Sequence, residues 1–358
     1  MSYYFRTFKI KFILFNLVLS SVFLYKGKLR ADDLQETERI FHTLCSTCHG
    51  KDGGGISDED VQKLGLDKAP ANFRDVQFSS REPKYVWKRV IRDGGERHGY
   101  SRYMPSFGNV LSEAQIDQIV RYIKGLGYDP SYPQGELNFT RAIFTAKAFP
   151  EDEFIYIGNY TKSKLVSYKQ TFYFAKRIGN VYQVEFKNSF IHSSDFSGEF
   201  ETGVKWNFLH LEHNLIISSF GFEVAIPYMS DEKWVYAPYL AFGKGFGNRF
   251  SFQISSKLMH SLVSKEIKLN LSSAFHFIPT VEVGRTIIPA LEFLADYSPK
   301  EDYLVPYLVP QLYFSISKRG HLALNIGFKQ PLRTSDEKFS VVGFLLWEYI
   351  DGWFFEGL

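Results

Sequence analysis

The sequence lacks most of the motifs by which an enzyme is usually recognised. It contains no nucleophile motif, no phosphate-binding glycine loop and no zinc-ligand spacing. Its formal net charge of +3 is small for 358 residues, so the charge favours neither a nucleic-acid partner nor a strongly acidic one. It also contains no low-complexity tract and no obvious short repeat, which argues against a repeat architecture.

Long apolar runs are missing from all but the start of the chain. No later stretch supplies the roughly 20 apolar residues that a membrane-spanning helix needs. At the start, Arg6, Lys9 and Lys11 precede an apolar run over residues 12–25. A basic segment followed by an apolar run of this length predicts an export signal, here residues 1–31, with an uncleaved membrane anchor as the alternative. Either interpretation places the rest of the chain outside the cytoplasm.

Cysteine is scarce, and its position is informative. The only two cysteines stand in Cys45-Ser46-Thr47-Cys48-His49. This C-x-x-C-H spacing is the attachment signature of a c-type haem. The two thiols can form thioether bonds with the haem vinyl groups, and the histidine that follows is placed to ligate the iron. A redox-active or structural C-x-x-C with a chance histidine is the competing interpretation. The segments that follow favour one covalent haem c.

The best candidate for the second axial ligand is Met104. It lies in Tyr103-Met104-Pro105, within a loop that proline keeps extended. A thioether paired with histidine raises the reduction potential relative to other axial ligand sets. His98, in a glycine-rich loop, is the main rival, and a methionine that merely packs into a small core is the other alternative. His42 shares a predicted helix with His49 and points the wrong way.

Local signals predict three main helices around these ligands. Residues 32–44 carry acidic residues in the first turn, and residues 82–91 form an amphipathic stretch. A third helix is predicted to begin after Ser112, which can cap it reciprocally with Gln115. Glycines at the end of this segment, beginning with Gly125, are expected to terminate it.

In this order, the segments resemble a class I monohaem cytochrome c domain over residues 32–128. The resemblance is carried by three motifs: Phe41-x-x-x-Cys45-x-x-Cys48-His49-Gly50, Met104-Pro105-x-Phe107-Gly108, and Leu111-Ser112-x-x-Gln115-Ile116. It implies a small all-α fold and electron transfer. It also implies that Cys45 and Cys48 tether the haem, with His49 and Met104 as its iron ligands.

Two further contacts are implied by the same resemblance. Phe41 and Tyr122 would mark the contact between the first and last helices of the domain. The segment over residues 70–73 would lie beside the proximal histidine, and its backbone carbonyl would accept a hydrogen bond from His49. Such a bond fixes the orientation and basicity of a ligating imidazole.

A different pattern follows a linker at residues 129–136. Over residues 137–358 the hydrophobic period changes to two, as where Val184 and Phe186 alternate with Gln183 and Glu185. Roughly twelve such segments of about nine to fifteen residues each can be counted. This is the length range that a tilted strand needs to cross a membrane.

One face of these segments is apolar and aromatic, and the other is polar. The apolar face would form the core of a soluble β-sandwich, whereas it would meet lipid in an outer-membrane barrel. Strand length, an aromatic content of 17% and the exported context favour the barrel. We therefore predict a two-domain chain, in which a small all-α cytochrome c domain precedes an antiparallel all-β domain, an outer-membrane β-barrel of about twelve strands. Trp206, Trp234 and Trp347 are expected in its interfacial girdles.

This combination resembles the fused cytochrome–porin proteins, some of which are proposed to oxidise ferrous iron at the cell surface. The resemblance implies an electron carrier rather than an enzyme, acting at or across the outer membrane between redox proteins or an extracellular metal. Metal oxidation rests on analogy alone. The haem domain would be periplasmic or inside the barrel lumen, and no nucleic-acid partner is expected.

Two other functions fit the same pattern. One is an outer-membrane channel or transporter that the cytochrome plugs or gates. The other is a soluble periplasmic redox protein whose β-domain holds a second cofactor. In the second case the metal ligands would come from scattered histidines: His192, His210, His213, His260, His276 and His321.

Overall fold

The computed structural model describes residues 31–228, 234–262, 265–279, 287–300 and 302–355. The predicted export signal lies outside these residues except for Ala31. None of the helices in the described residues is long and apolar enough to span a membrane. The α-helices found there are α1 (Ala31–Leu44), α2 (Ser46–His49), α3 (Asp58–Lys63), α4 (Val76–Arg81), α5 (Lys84–Asp93) and α6 (Glu113–Leu126).

Helices α1 and α6 pack together at the centre of this helical domain. Phe41 of α1 is fully buried, and its ring centroid lies 5.4 Å from that of Tyr122 on α6. Ser112 caps α6 through the reciprocal capping box with Gln115. The predicted contact and the predicted helix start are both confirmed.

The rest of the described chain is a closed antiparallel barrel. Each strand pairs with the next, and the first pairs with the last. The strands found in the described residues are β1 (Glu153–Lys162), β2 (Val166–Ile178), β3 (Tyr182–His192), β4 (Phe196–Leu211), β5 (Ile216–Tyr228), β6 (Val235–Phe246), β7 (Phe250–Ser261), β8 (Ile267–Phe277), β9 (Ile287–Ser298), β10 (Tyr303–Ser315), β11 (Leu322–Pro331) and β12 (Phe339–Trp347). The prediction of a twelve-stranded barrel is confirmed for the described residues.

The barrel wall has its polar face inside and its apolar face outside. On β3, Gln183 and Glu185 are 1% and 4% exposed, whereas Tyr182 and Phe186 are 53% and 41% exposed. Apolar side chains face outward around the rest of the wall, and part of the inner face is apolar as well, as at Phe344 and Leu346 of β12. This arrangement is the reverse of a soluble sandwich, whose apolar face would be the buried one.

The helical domain contacts one end of the barrel. We call this the near end; β1 begins there, β12 finishes there, and the connections after β2, β4, β6 and β10 lie there. The opposite end is the far end. The contacts between the two domains include Arg319 Nε donating to Gly99 O (2.8 Å), Lys84 Nζ with Glu212 Oε1 (2.5 Å) and Arg81 Nη1 with Asp351 Oδ1 (3.3 Å). The linker also contacts the near end, where His210 Nε2 lies 2.9 Å from Pro130 O.

Residues 138–152, which we call the luminal segment, run inside the barrel before β1 begins. Glu292, fully buried on β9, accepts hydrogen bonds from the backbone N–H groups of Ile143 (3.1 Å) and Thr145 (2.8 Å). From β4, Lys205 Nζ donates to the carbonyl of Phe149 (2.9 Å). The polar lumen therefore binds backbone of its own chain, an arrangement that strand alternation alone did not predict.

Candidate haem site

The C-x-x-C-H motif lies at the junction of α1 and the short helix α2. The carbonyl of Cys45 accepts hydrogen bonds from the backbone N–H groups of Cys48 (3.2 Å) and His49 (3.0 Å). This tight turn brings two thiols and an imidazole to the wall of one cavity, whose volume is about 420 Å³. Sequence reasoning selected these three residues, and the fold brings them together.

A single hydrogen bond fixes the orientation of the His49 ring. Its Nδ1 lies 3.1 Å from the carbonyl oxygen of Ala71, so Nδ1–H donates and Nε2 carries the free lone pair. The ring also stacks on Phe73, with centroids 4.4 Å apart. Burial lowers the pKa of His49, which favours the neutral imidazole that binds metals. The predicted hydrogen bond from His49 to residues 70–73 is confirmed.

Met104 lines the same cavity as His49. Its loop is held against the end of α5, because Gly95 N–H donates to Met104 O (2.9 Å) and Phe107 N–H donates to Ile91 O (3.0 Å). Gly95 permits this close approach, since a Cβ there would lie 2.4 Å from the carbonyl oxygen of Ser101. These backbone contacts fix the position of the loop, and the Met104 side chain packs against the core of the helical domain.

His98, the main rival ligand, is engaged elsewhere. Its Nε2 lies 3.0 Å from a carboxylate oxygen of Asp93, and Arg89 donates to its Nδ1 (3.2 Å). Hydrogen bonds from Arg92 and His98 hold the pKa of Asp93 at about 2, so this carboxylate stays charged. His98 is not among the described residues that line the cavity. His42 is exposed to solvent on α1.

The cavity suits a haem in both volume and chemistry. Most of its wall is apolar, including Trp87, Ile91, Ile119 and Ile123, and its volume falls within the range of cofactor sites, roughly 300–1,000 Å³. The groups on its wall that could hold a haem are two thiols, one neutral imidazole and one thioether, a set found in c-type haem proteins. Burial, with a smaller contribution from Cys48, raises the pKa of the Cys45 thiol to about 11, so it remains protonated at neutral pH.

Three residues from the barrel also line this cavity, and sequence reasoning missed them. They are Arg319, Ile350 and Asp351. Arg319 lies in the connection between β10 and β11, and the other two follow β12. Their positions more than two hundred residues from the haem motif explain why no local signal identified them.

The barrel histidines are dispersed. His210 bonds to Asn207 and to Pro130, His321 contacts the carbonyl of Trp353, and His276 is buried on β8. In the part of the chain that the structure describes, no group of three or more histidines, cysteines or acidic residues is arranged to hold a metal ion.

Comparison with known families identifies the helical domain. Residues 32–123 match the family model described as cytochrome C oxidase, cbb3-type, subunit III. The helical domain is a cytochrome c domain. The match ends before the barrel, so it assigns the cytochrome domain alone. A search of curated proteins finds no match to the chain.

Solved structures resemble the barrel domain. The KdgM porin shares 10% identity with a TM-score of 0.43, and the match covers 55% of this chain and 99% of that one. The NanC porin gives 10% identity, a TM-score of 0.43 and coverages of 54% and 97%. An outer membrane channel from Pseudomonas putida F1 shares 8% identity with a TM-score of 0.44, and the match covers 58% of this chain and 99% of that one. These similarities are distant, and the barrel assignment rests on the chain's own strand pairing.

Proposed function

We propose that this protein is an electron carrier with one covalent haem c, held at the periplasmic mouth of an outer-membrane barrel. The observation that carries the proposal is the convergence of Cys45, Cys48, His49 and Met104 on one apolar cavity. When bound, the haem supplies a one-electron couple between ferrous and ferric iron. The two thiols would tether it, and His49 and Met104 would ligate its iron.

The surrounding side chains suit electron transfer better than catalysis. Ala71 holds the imidazole in one orientation, and Phe73 stacks on it, so ligand movement during a change of iron charge is restricted. The mostly apolar wall would limit contact between a bound haem and water. Ligation of the iron by both His49 and Met104 would leave no coordination site for a substrate.

The barrel surface supports a place in the outer membrane. Aromatic and aliphatic side chains, among them Phe186, Trp206 and Leu240, are exposed around the wall. So large a contiguous apolar surface is unfavourable in water and favourable in lipid. The strands span 9 to 16 residues, and about 9–11 tilted residues cross a bilayer.

Both barrel termini lie at the near end, together with the cytochrome domain. A predicted export signal at residues 1–31 fits delivery of that domain to the periplasm. We therefore assign the near end to the periplasm, with residues 32–128 as the cytochrome domain, 129–136 as the linker and 137–358 as the barrel domain. The luminal segment then belongs to the start of the barrel domain.

The luminal segment favours electron transfer over an open channel. Its backbone occupies lumen-facing polar groups on several strands, including Glu292, Lys205 and Ser255. An open porin keeps such groups available to water. The barrel would then act as a membrane collar for the cytochrome domain, which exchanges electrons with a periplasmic protein and a second partner, such as an extracellular metal.

Replacement of Met104 tests the proposed ligand set. We expect Met104→Ala to retain covalent haem, to lose the sulfur-to-iron charge-transfer absorption, and to have a much lower reduction potential. Axial ligands set haem potentials over about 0.8 V, so the shift should be a sizeable part of that span. An optical redox titration of the full-length protein measures it.

Two further variants serve as controls for this titration. Met259→Ala removes a partly exposed methionine near the far end of β7, away from the haem cavity, and should leave the spectrum and the potential unchanged. His98→Ala should also keep the charge-transfer absorption. If His98→Ala alters the haem spectrum and Met104→Ala does not, the proposed ligand set is wrong.

A further inference from the structure

The cavity of the cytochrome domain is not closed by that domain alone. Arg319, Ile350 and Asp351 of the near end line it together with His49 and Met104. Two of the three barrel residues carry charge. They therefore lie where they would act on the electrostatics of a bound haem.

Arg319 is fixed at this position by several contacts. Its Nε donates to Gly99 O (2.8 Å), and its Nη1 donates to the carbonyl oxygen of Asp351 (3.0 Å). Its guanidinium carbon lies 4.6 Å from the ring centroid of Tyr100, a cation–π distance. Gly99 and Tyr100 lie in the loop that leads to Met104, so Arg319 joins the barrel directly to the ligand loop.

Asp351 forms an ion pair with the cytochrome domain. Its Oδ1 lies 3.3 Å from Nη1 of Arg81, with side chains 27% and 21% exposed. Burial and the neighbouring Glu82 raise the pKa of Asp351 to about 7, although Arg81 acts in the opposite direction. The charged groups that face it from the surrounding elements are Arg81, Arg177, Arg319, Glu82, Glu151, Asp152 and Glu348.

We propose that the near end of the barrel is part of the haem site. Arg319 of the barrel and Arg81 of α4 are the cationic partners of the haem carboxylate groups. Asp351 is an acid that tunes the reduction potential of the iron. This inference rests on the proposed function. Haem carries two carboxylate side chains, and arginine is the side chain best suited to pair with them in a partly buried site. The barrel would thus set the redox properties of the domain that it anchors.

The sign of each effect follows from the charge of the iron. Ferric haem carries one more positive charge than ferrous haem, so a nearby cation raises the reduction potential and a nearby anion lowers it. Arg319→Gln should therefore have a lower potential than the wild type at every pH. The wild-type reduction potential should fall as the pH rises through neutrality and Asp351 loses its proton. The reduction potential of Asp351→Asn should not change over this pH range and should stay near the value that the wild type has at low pH.

The experiment is a redox titration of the full-length protein in detergent at pH values from about 5 to 9, which bracket this titration. A haemochrome spectrum is recorded first for every variant. A wild type without covalent haem would contradict the proposed function itself, separately from this inference. Arg319→Lys keeps the charge and should restore most of the potential lost in Arg319→Gln.

Matched controls remove charges elsewhere on the barrel. Arg249→Gln alters an exposed position at the near end, and Asp195→Asn alters an exposed turn at the far end. Both should retain the wild-type potential and its pH dependence. If Arg319→Gln and Asp351→Asn match these controls at every pH while haem remains attached, the barrel does not contribute to the haem site.

Discussion

The double variant Cys45→Ala, Cys48→Ala is expected to lose all covalently bound haem. Each thiol adds its sulfur and hydrogen across one vinyl double bond, so alanine at both positions leaves nothing to form a thioether. Both cysteines line the cavity, next to the imidazole of His49. A denaturing gel stained for haem measures the effect, because only covalent haem stays with the chain under those conditions.

The control for this variant changes the two residues between the cysteines. Ser46 and Thr47 lie on α2, where the Ser46 hydroxyl donates to the carbonyl of His42. Neither residue is among the described residues that line the cavity. Ser46→Ala, Thr47→Ala should keep the haem band. A haem band of undiminished intensity in the double cysteine variant would mean that the haem, if covalent, is attached elsewhere.

The second large effect concerns the lumen. We expect the wild-type barrel to be almost silent in planar bilayer recordings, and the double variant Glu292→Ala, Lys205→Ala to conduct. These two side chains hold the luminal segment from different strands, through the backbone of Ile143, Thr145 and Phe149. Each hydrogen bond to a charged group stabilises the bound segment by about 1.5–3 kcal/mol, so losing several at once should loosen its attachment to the wall.

A charge change that leaves the luminal segment in place provides the control. Glu199 pairs with Lys169 on the lumen side of the wall near the far end and makes none of these contacts. Glu199→Ala should remain silent. Wild-type recordings as conductive as those of the double variant would show that the luminal segment does not close the barrel, and would favour the channel interpretation.

The parts of the site that local chemistry determines were predictable from the sequence. The C-x-x-C-H motif, the Met104-Pro105 loop and the Ser112–Gln115 capping box each depend on residues close together in the chain. Strand alternation likewise predicted the barrel, because long segments of period two suit a wall with one polar face. The ends of some elements differ by about two residues from the prediction. The helix expected over residues 82–91 runs from Lys84 to Asp93.

The rest depends on partners far apart in the chain. Glu292 binds backbone 147 residues away at Thr145, and Arg319 binds Gly99 across 220 residues. An alternating pattern of polar and apolar residues does not distinguish a strand in the wall from a short segment inside it. It therefore could not show that residues 138–152 lie inside the barrel, nor that its near end reaches the haem cavity.

The central claim is that one chain combines a folded membrane barrel with covalent haem. Outer-membrane fractions, boiled and unboiled, can be run on a denaturing gel and stained for haem. We predict a haem band in this fraction that migrates faster before boiling, because a closed barrel resists unfolding by detergent. A haem band confined to the soluble periplasmic fraction, with the same mobility before and after boiling, would contradict the account.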